Sequence, residues 1–350
     1  MDKLMTYDIL LTIVPMVALL VAVLWKSSSN DGSFSFDKNF TGVLKGVSAI
    51  IVVFVHVPEA YHNPGQRLIM CFGFVAVTVF FMISAYGMLF SVNKNEEKYL
   101  SHFWRNRLAS LLIPCLLIHL VGIVFKTIQG RDFSVIHYLI SLPGYVWVLL
   151  QYCLLFFVVM LCRQKFRLSF RLCHVLMVLA ITGSSLYLYL SSPDAENSSQ
   201  MGWCYERMGL VWGTLLFVFF SRVANFIRQR WVAKTAVLGL LSLALGVAYV
   251  LNKHIWFYGE YLLKIVLGFV IISFVLFLAK KRTFGNAVIN HLGLISYEIY
   301  LSHELVMSIV ASYFPSISSG LFVCATLAFT ILLSSFVHVL SAKMVSFVRA

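Results

Sequence analysis

Charged residues are scarce in this chain. Asp, Glu, Lys and Arg together make up 12% of its 350 residues, whereas about a quarter of the residues of a soluble domain are charged. Hydrophobic residues account for 60%, and the mean hydropathy is +0.88. This composition excludes an ordinary soluble domain and predicts an all-α fold, a polytopic transmembrane helical bundle.

Sequence motifs of metal, nucleotide and redox sites are also missing. The chain has no HExxH motif, no DxD-like acidic pair, no Walker or dinucleotide fingerprint, and no CxxC spacing among its seven cysteines. The net charge of +13 would suggest a nucleic-acid partner for a soluble domain, but in a membrane protein the position of the basic residues relative to the spans matters more. We therefore predict no metal and no nucleic-acid partner, with the cysteines as small core hydrophobes.

Apolar runs long enough to cross a hydrocarbon layer, about 17 to 25 residues, recur along the whole chain. The first run has no small-residue cleavage site before KSSSNDGS, which favours a retained helix over a signal peptide. We predict about 11 transmembrane helices, near residues 6–25, 43–60, 69–91, 108–128, 144–162, 172–190, 206–221, 235–251, 260–279, 287–310 and 318–340.

The basic residues are distributed unevenly between the connections. The connections that follow the odd-numbered spans, counted together with the adjoining ends of the spans, contain 20 of the 27 Lys and Arg residues. Because Lys and Arg concentrate on the cytoplasmic side of membrane proteins, this bias predicts that the amino terminus is outside. In that orientation Lys45 faces the cytoplasm and His56 lies in the outer half of the membrane.

The stretch KGVSAIIVVFVH places two ionisable residues, Lys45 and His56, in an otherwise apolar run. At about 100° per residue, Lys45, Ala49, Val52 and His56 share one face of a helix. A titratable side chain inside the membrane usually lines a cavity or a functional path. The structural alternative stays open, because a terminal lysine snorkels to the headgroups and a lone histidine can bond a neighbouring helix.

The tenth span contains a second histidine. Gly293, Ser296, Tyr300, His303 and Met307 recur at spacings of three and four and are expected on one face. Glu298 points the opposite way and needs another partner, for which we propose Lys264 or Arg207. An ion pair that joins helices is the simpler role for Glu298, and acceptor binding is the alternative.

Two arginines, Arg105 and Arg107, stand at the cytoplasmic start of the fourth span. Ordinary anchoring of a span by basic residues explains them without any further function. A phosphate-binding site is the functional alternative, because guanidinium groups form paired hydrogen bonds with phosphate oxygens.

Taken in order, these segments resemble the acyltransferase 3 family of bacterial membrane-bound O-acyltransferases. The similarity runs from about residue 40 to 310, with residues 31–350 as the family-like domain and 1–30 as an additional amino-terminal helix. Its most specific element is a basic residue followed, after ten intervening positions, by histidine. The segments that match are KGVSAIIVVFVH, FFMISAY, FWRNRLASLLIP, YVWVLL and ISYEIYLSHELV.

The resemblance implies transfer of an acyl group, commonly acetyl, from cytoplasmic acyl-CoA to a hydroxyl of a glycan or lipid-linked sugar, in the bacterial cell membrane. It implies that His56 takes part in the transfer, as general base or transient acyl carrier, and that Lys45 helps to hold the donor. Homo-oligomers and contact with membrane lipid are expected. The further site residues expected are Arg105, Arg107, Ser84 and Tyr86 for acetyl-CoA, and Trp147, Tyr300, His303, Arg207 and Glu298 for the acceptor.

The chain also departs from the family pattern. Leu111 stands where a basic residue is common, Tyr145 where a histidine often precedes the tryptophan, and Lys45 where arginine is frequent. Two other functions therefore remain open. The chain could export a glycan or lipid-linked glycan without covalent chemistry, its polar residues lining the path, or it could be an inactive relative that serves as a receptor or assembly factor.

Overall fold

Helices dominate the architecture of the chain. A computed structural model describes residues 3–29, 34–191 and 203–349. The α-helices are α1 Lys3–Leu24, α2 Lys38–Val55, α3 Pro64–Met70, α4 Gly73–Lys94, α5 Glu96–Ser101, α6 Phe103–Ile128, α7 Val135–Ile140, α8 Gly144–Phe166, α9 Phe170–Leu190, α10 Met208–Val218, α11 Phe220–Arg228, α12 Trp231–Asn252, α13 Lys264–Leu278, α14 Ala287–Leu294, α15 Ser296–Tyr313 and α16 Ser319–Arg349.

Short elements complete the fold. A π-helical turn, Tyr258–Leu263, leads into α13, and 3-10 turns span Glu59–Tyr61 and Ala279–Lys281. Two strands of two residues each, β1 Ser28–Ser29 and β2 Arg282–Thr283, pair antiparallel. In the described residues nine helices are long and apolar enough to cross a membrane, and the number rises to 11 if two bent pairs count as spans. The predicted all-α bundle of about 11 spans is confirmed.

Two predicted spans are not single straight helices. The predicted span 206–221 corresponds to α10 and α11, which bend by 82° at Phe219, and the predicted span 287–310 corresponds to α14 and α15, which bend by 72° at Ile295. The expectation that Gly293 shares a helix face with Tyr300 and His303 is therefore wrong. Gly293 belongs to α14, before the break, whereas Tyr300 and His303 lie on α15.

Helix α2 lies at the centre of the bundle, and small residues allow α14 to cross it in backbone contact. A Cβ atom added at Gly46 would lie 2.9 Å from the Gly293 nitrogen, and one added at Gly293 would lie 2.3 Å from the Gly42 oxygen. Close approach at small residues spaced by four is typical of membrane helix pairs. The crossing fixes α14, and with it the start of α15, against α2.

Helix α1 is attached to the bundle by polar contacts although most of its surface is exposed. The Gly320 N–H donates to Asp8 Oδ1 at 3.3 Å, Asn63 Nδ2 donates to Thr12 Oγ1 at 2.7 Å, and Asn286 Nδ2 donates to the Trp25 carbonyl at 3.0 Å. These bonds join α1 to α16, to the start of α3 and to the start of α14.

The end of the bundle where α2 begins and α4 and α16 end is called here the basic end. It carries Lys38, Lys94 and Arg349. His56 lies at the opposite end of α2 from Lys38, and Lys45 and His56 are about 16 Å apart along the helix axis at about 1.5 Å per residue.

Candidate active site

His56 directly follows the last residue of α2. The helix begins at the cap residue Asp37, whose carboxylate accepts from the Phe40 N–H at 2.9 Å, and it ends at Val55. The Nδ1 atom of His56 lies 2.9 Å from the Val52 carbonyl oxygen. Because a carbonyl only accepts hydrogen bonds, Nδ1 is the donor. The neutral ring therefore keeps a lone pair on Nε2, the atom available for chemistry.

His303 of α15 lies against His56. The two ring centroids are 4.7 Å apart and the ring planes are inclined by 66°. The Nδ1 atom of His303 donates to the Tyr300 carbonyl at 2.6 Å, so the neutral form of this ring also has its lone pair on Nε2. That Nε2 atom is buried and has no hydrogen-bond partner among the described residues. Two imidazoles from distant parts of the sequence thus form one site, called here the histidine pair.

A carboxylate completes a group of three possible ligands. Glu304 follows His303 and is exposed, and the ligand atoms of Glu304, His303 and His56 all lie within 4.8 Å of one another. In a tetrahedral zinc site neighbouring ligand atoms are about 3.3 Å apart, since Zn–N bonds measure about 2.0 Å. The donor types suit a transition metal, although the separations of up to 4.8 Å between the ligand atoms are larger than those in a zinc site. The absence of a metal stays a prediction.

Tyrosines extend inward from the histidine pair. The Tyr300 ring lies 5.8 Å from His303 and 5.1 Å from Tyr145 of α8. The Tyr145 hydroxyl lies 3.5 Å from Ser84 Oγ on α4, which also donates to the Phe80 carbonyl. Tyr145 is buried, at 5% exposure, and close enough to Arg107 for an electrostatic interaction. This row of hydroxyl groups extends from the histidine pair into the bundle, within electrostatic reach of Arg107.

Glu298 pairs with α16. Its Oε1 atom accepts from His338 Nδ1 at 2.9 Å and from Ser341 Oγ at 3.2 Å. The proposed pairing with Lys264 or Arg207 is therefore wrong, because the first turn of α15 faces α16. Lys45 on α2 lies within electrostatic reach of Glu298. Glu298 thus joins α15 to α16 and lies near Lys45 of α2.

A polar cavity of about 230 Å³ opens at the basic end. Arg107 lines it and donates from Nη2 to the Tyr99 hydroxyl at 3.1 Å. Burial raises the pKa of Tyr99, against a smaller opposing effect of the Arg107 charge, so the phenol stays neutral. Arg105 is exposed and does not line the cavity, because two residues along a helix correspond to about 200° of rotation. The structure separates the two arginines.

Three predicted site residues lie away from the histidine pair. Trp147 is 56% exposed on the outer surface of α8. Tyr86 packs into an aromatic cluster near the basic end, with its ring 4.7 Å from Phe36. Arg207 donates to the Trp203 carbonyl at 2.9 Å and to Ser184 Oγ at 3.2 Å. The structure does not bring these side chains together with His56.

A second cavity is apolar and separate from this chemistry. It measures about 430 Å³, lies between α1, α2, α4 and α13, and Ser48 is the single polar side chain in its described lining. Such a lining offers neither an acid nor a base. Lipid chains are the natural content of an apolar cavity in a membrane bundle.

Comparison with known proteins identifies the family of the chain. Searches of curated proteins and of solved structures gave no match. A family model described as an acyltransferase domain matches residues 39–339, beginning after α1 and ending within α16. The chain therefore belongs to the acyltransferase 3 family and is a multi-pass membrane acyltransferase.

Proposed function

We propose that this protein transfers an acetyl group from acetyl-CoA, bound at the basic end, to a hydroxyl of a cell-surface glycan or a lipid-linked sugar. The observation that carries the proposal is the histidine pair, in which a backbone carbonyl holds the His56 ring with its Nε2 lone pair free. Histidine is the side chain whose ordinary pKa lies nearest to neutral, as a general base requires. The bacterial cell membrane is the proposed location.

The reaction needs a group that accepts and then returns a proton, and no serine nucleophile, since a thioester is already activated. His56 Nε2 removes the proton from the acceptor hydroxyl, and the oxygen attacks the thioester carbonyl carbon. The C–S bond breaks as the ester bond forms, and the CoA thiolate takes the proton from the His56 imidazolium. Tyr300, Tyr145 and Ser84 are proposed to line the approach from the donor side, and Lys45 lies between the two ends within electrostatic reach of Glu298.

Transfer of labelled acetyl tests the proposal. Purified protein in nanodiscs is incubated with acetyl-CoA labelled in the acetyl group and with glycan and lipid fractions from cells that lack the gene. Alkali-labile label in these fractions measures ester formation. We expect His56→Gln to lower the rate at least about 100-fold, the usual contribution of a general base. His137→Gln, the same change at an exposed histidine of α7, serves as the control and should keep the wild-type rate.

The outcomes separate the candidate functions. A His56→Gln protein that elutes and melts like the wild type but still transfers label at the wild-type rate would remove His56 from the mechanism. Wild-type protein that moves glycan across a sealed vesicle and leaves all label on CoA would establish the exporter instead.

A further inference from the structure

The cavity at the basic end is lined mostly by polar side chains. Three further cavities are lined almost entirely by apolar side chains. The polar cavity lies where the end of α4, the start of α6 and the end of α16 meet. Its polar lining residues are Ser91, Tyr99, Asn106, Arg107, Ser110 and Arg349.

Two guanidinium groups meet at this cavity from opposite parts of the sequence. Arg107 donates to the Tyr99 hydroxyl at 3.1 Å, and Arg349 Nη2 donates to the Asn106 carbonyl at 3.2 Å. None of the described lining residues is acidic, and neither arginine forms an ion pair with another described residue. Each guanidinium has five N–H donors. Both therefore have unused donors, and no acidic residue in the described part of the chain pairs with either charge.

We propose that Arg349 and Arg107 together bind phosphate groups of the acyl-CoA donor. This inference rests on the proposed function and names a residue that the family resemblance does not contain, since the family match ends at residue 339. Guanidinium groups form paired hydrogen bonds with phosphate oxygens, and CoA presents several phosphates on its nucleotide. The Ser91 and Ser110 hydroxyls line the same space and can donate to further oxygens.

The arrangement also explains how the site manages without a basic residue at position 111. Leu111 is 6% exposed, and its carbonyl accepts from the Tyr297 hydroxyl at 2.8 Å, so this position is part of the packing between α6 and α15. The second positive charge comes from α16 instead. Arg107 is within electrostatic reach of Tyr145, so donor phosphates held by this pair would lie towards the tyrosine row that leads to the histidine pair.

Binding of CoA itself tests Arg349 without any acceptor. Protein in nanodiscs of zwitterionic lipid is titrated with CoA and with 3′-dephospho-CoA. We expect Arg349→Gln to raise the Kd for CoA at least about tenfold, the effect of one charge-assisted hydrogen bond. Arg349→Lys should recover part of the affinity. Lys343→Gln removes the same charge from an exposed position of the same helix and should leave the Kd within about twofold.

Each result decides one point. Equal CoA affinity of the wild type and Arg349→Gln overturns the role of Arg349 and leaves the proposed function standing. A wild type that binds no CoA overturns both. Nanodiscs with anionic lipid test the other source of phosphate. If Arg349→Gln binds less anionic lipid than the wild type does while its Kd for CoA is unchanged, Arg349 binds a lipid headgroup and not the donor.

Discussion

At the scale of single residues, backbone carbonyls determine which nitrogen of each central histidine can react. The Val52 and Tyr300 carbonyls accept hydrogen bonds from Nδ1 of His56 and His303, respectively. In both rings Nε2 is therefore the nitrogen left for chemistry. A histidine whose other nitrogen is held by a hydrogen bond is oriented before substrate arrives. The main chain therefore does the positioning that a buried carboxylate performs in many hydrolases.

Glu298 gives a prediction that separates a helix-joining role from an acceptor-binding role. Its carboxylate is 5% exposed and bonded to His338 and Ser341. Glu298→Gln keeps the shape of the side chain and removes its charge, so we expect a loss of about 1 kcal/mol of stability, typical of a polar contact between membrane helices. The midpoint of thermal unfolding in detergent measures this loss.

The control for this change is Glu97→Gln, at an exposed position of α5, which should not lower the midpoint. The Michaelis constant for the acceptor should be the same in Glu298→Gln as in the wild type. An unchanged midpoint together with a raised acceptor constant would assign Glu298 to acceptor binding after all.

Residue spacing predicted part of the site and could not predict the rest. Periodicity along one helix placed Tyr300 and His303 on one face, and both are buried on α15. Spacing gives no information about which helix lies opposite, so the partner predicted for Glu298 was wrong and the orientation of Trp147 was missed. His338 and Arg349 were not assigned to the site, because their partners Glu298 and Asn106 come from distant segments. Tyr99 was missed although its partner Arg107 is only eight residues away, because the two lie on different helices.

At the scale of elements, the crossing of α2 and α14 positions the site. Gly46→Ala adds one methyl group at a place where the Gly293 backbone is 2.9 Å away. We expect this change to cost about 1–3 kcal/mol, as overpacking does, although alanine favours a helix more than glycine does. Thermal unfolding measures the loss, and the acetyl-transfer rate should fall as α15 shifts.

Gly42→Ala is the matched control on the same helix. Nothing among the described atoms lies within 4 Å of a Cβ at position 42, so this variant should be as stable as the wild type. Equal destabilisation by the two substitutions would mean that the crossing is looser than the structure shows.

The spans themselves were predictable, and the two breaks were not. Hydropathy identifies apolar runs, and residues 287–310 form one such run without proline. The bend at Ile295 depends on local bonding, in which Ser296 Oγ donates to the Gly293 carbonyl. Serine hydroxyls that bond the preceding turn often bend helices, but the same residue fits a straight helix equally well.

At the scale of the whole molecule, the proposed mechanism brings the two substrates from different ends. The arginines proposed to bind phosphate lie at the basic end, and His56 lies at the far end of α2. In sealed inside-out vesicles the basic end should face the medium, as the charge bias predicts, and added acetyl-CoA should be used. Right-side-out vesicles should be inactive until a detergent opens them, because CoA does not cross the bilayer.

Labelled acetyl-CoA added to both vesicle types measures this difference. Equal activity of the two sealed preparations would contradict the predicted orientation. The orientation was deduced from the positions of 20 of the 27 basic residues. Such a bias places the end of α16 on the same side as Arg107, but it could not predict that the two helices meet there, with Arg349 bonded to the Asn106 carbonyl.

The unequal burial of the histidine pair has a consequence for inhibition. His303 is 2% exposed, whereas His56 is only partly buried. An electrophilic analogue of the donor would meet the Nε2 atom of His56 first and, once attached, would block the approach to the ring behind it. One covalent adduct would then inactivate each protein molecule. The number of adducts per molecule, measured by mass spectrometry, would give the fraction of active sites.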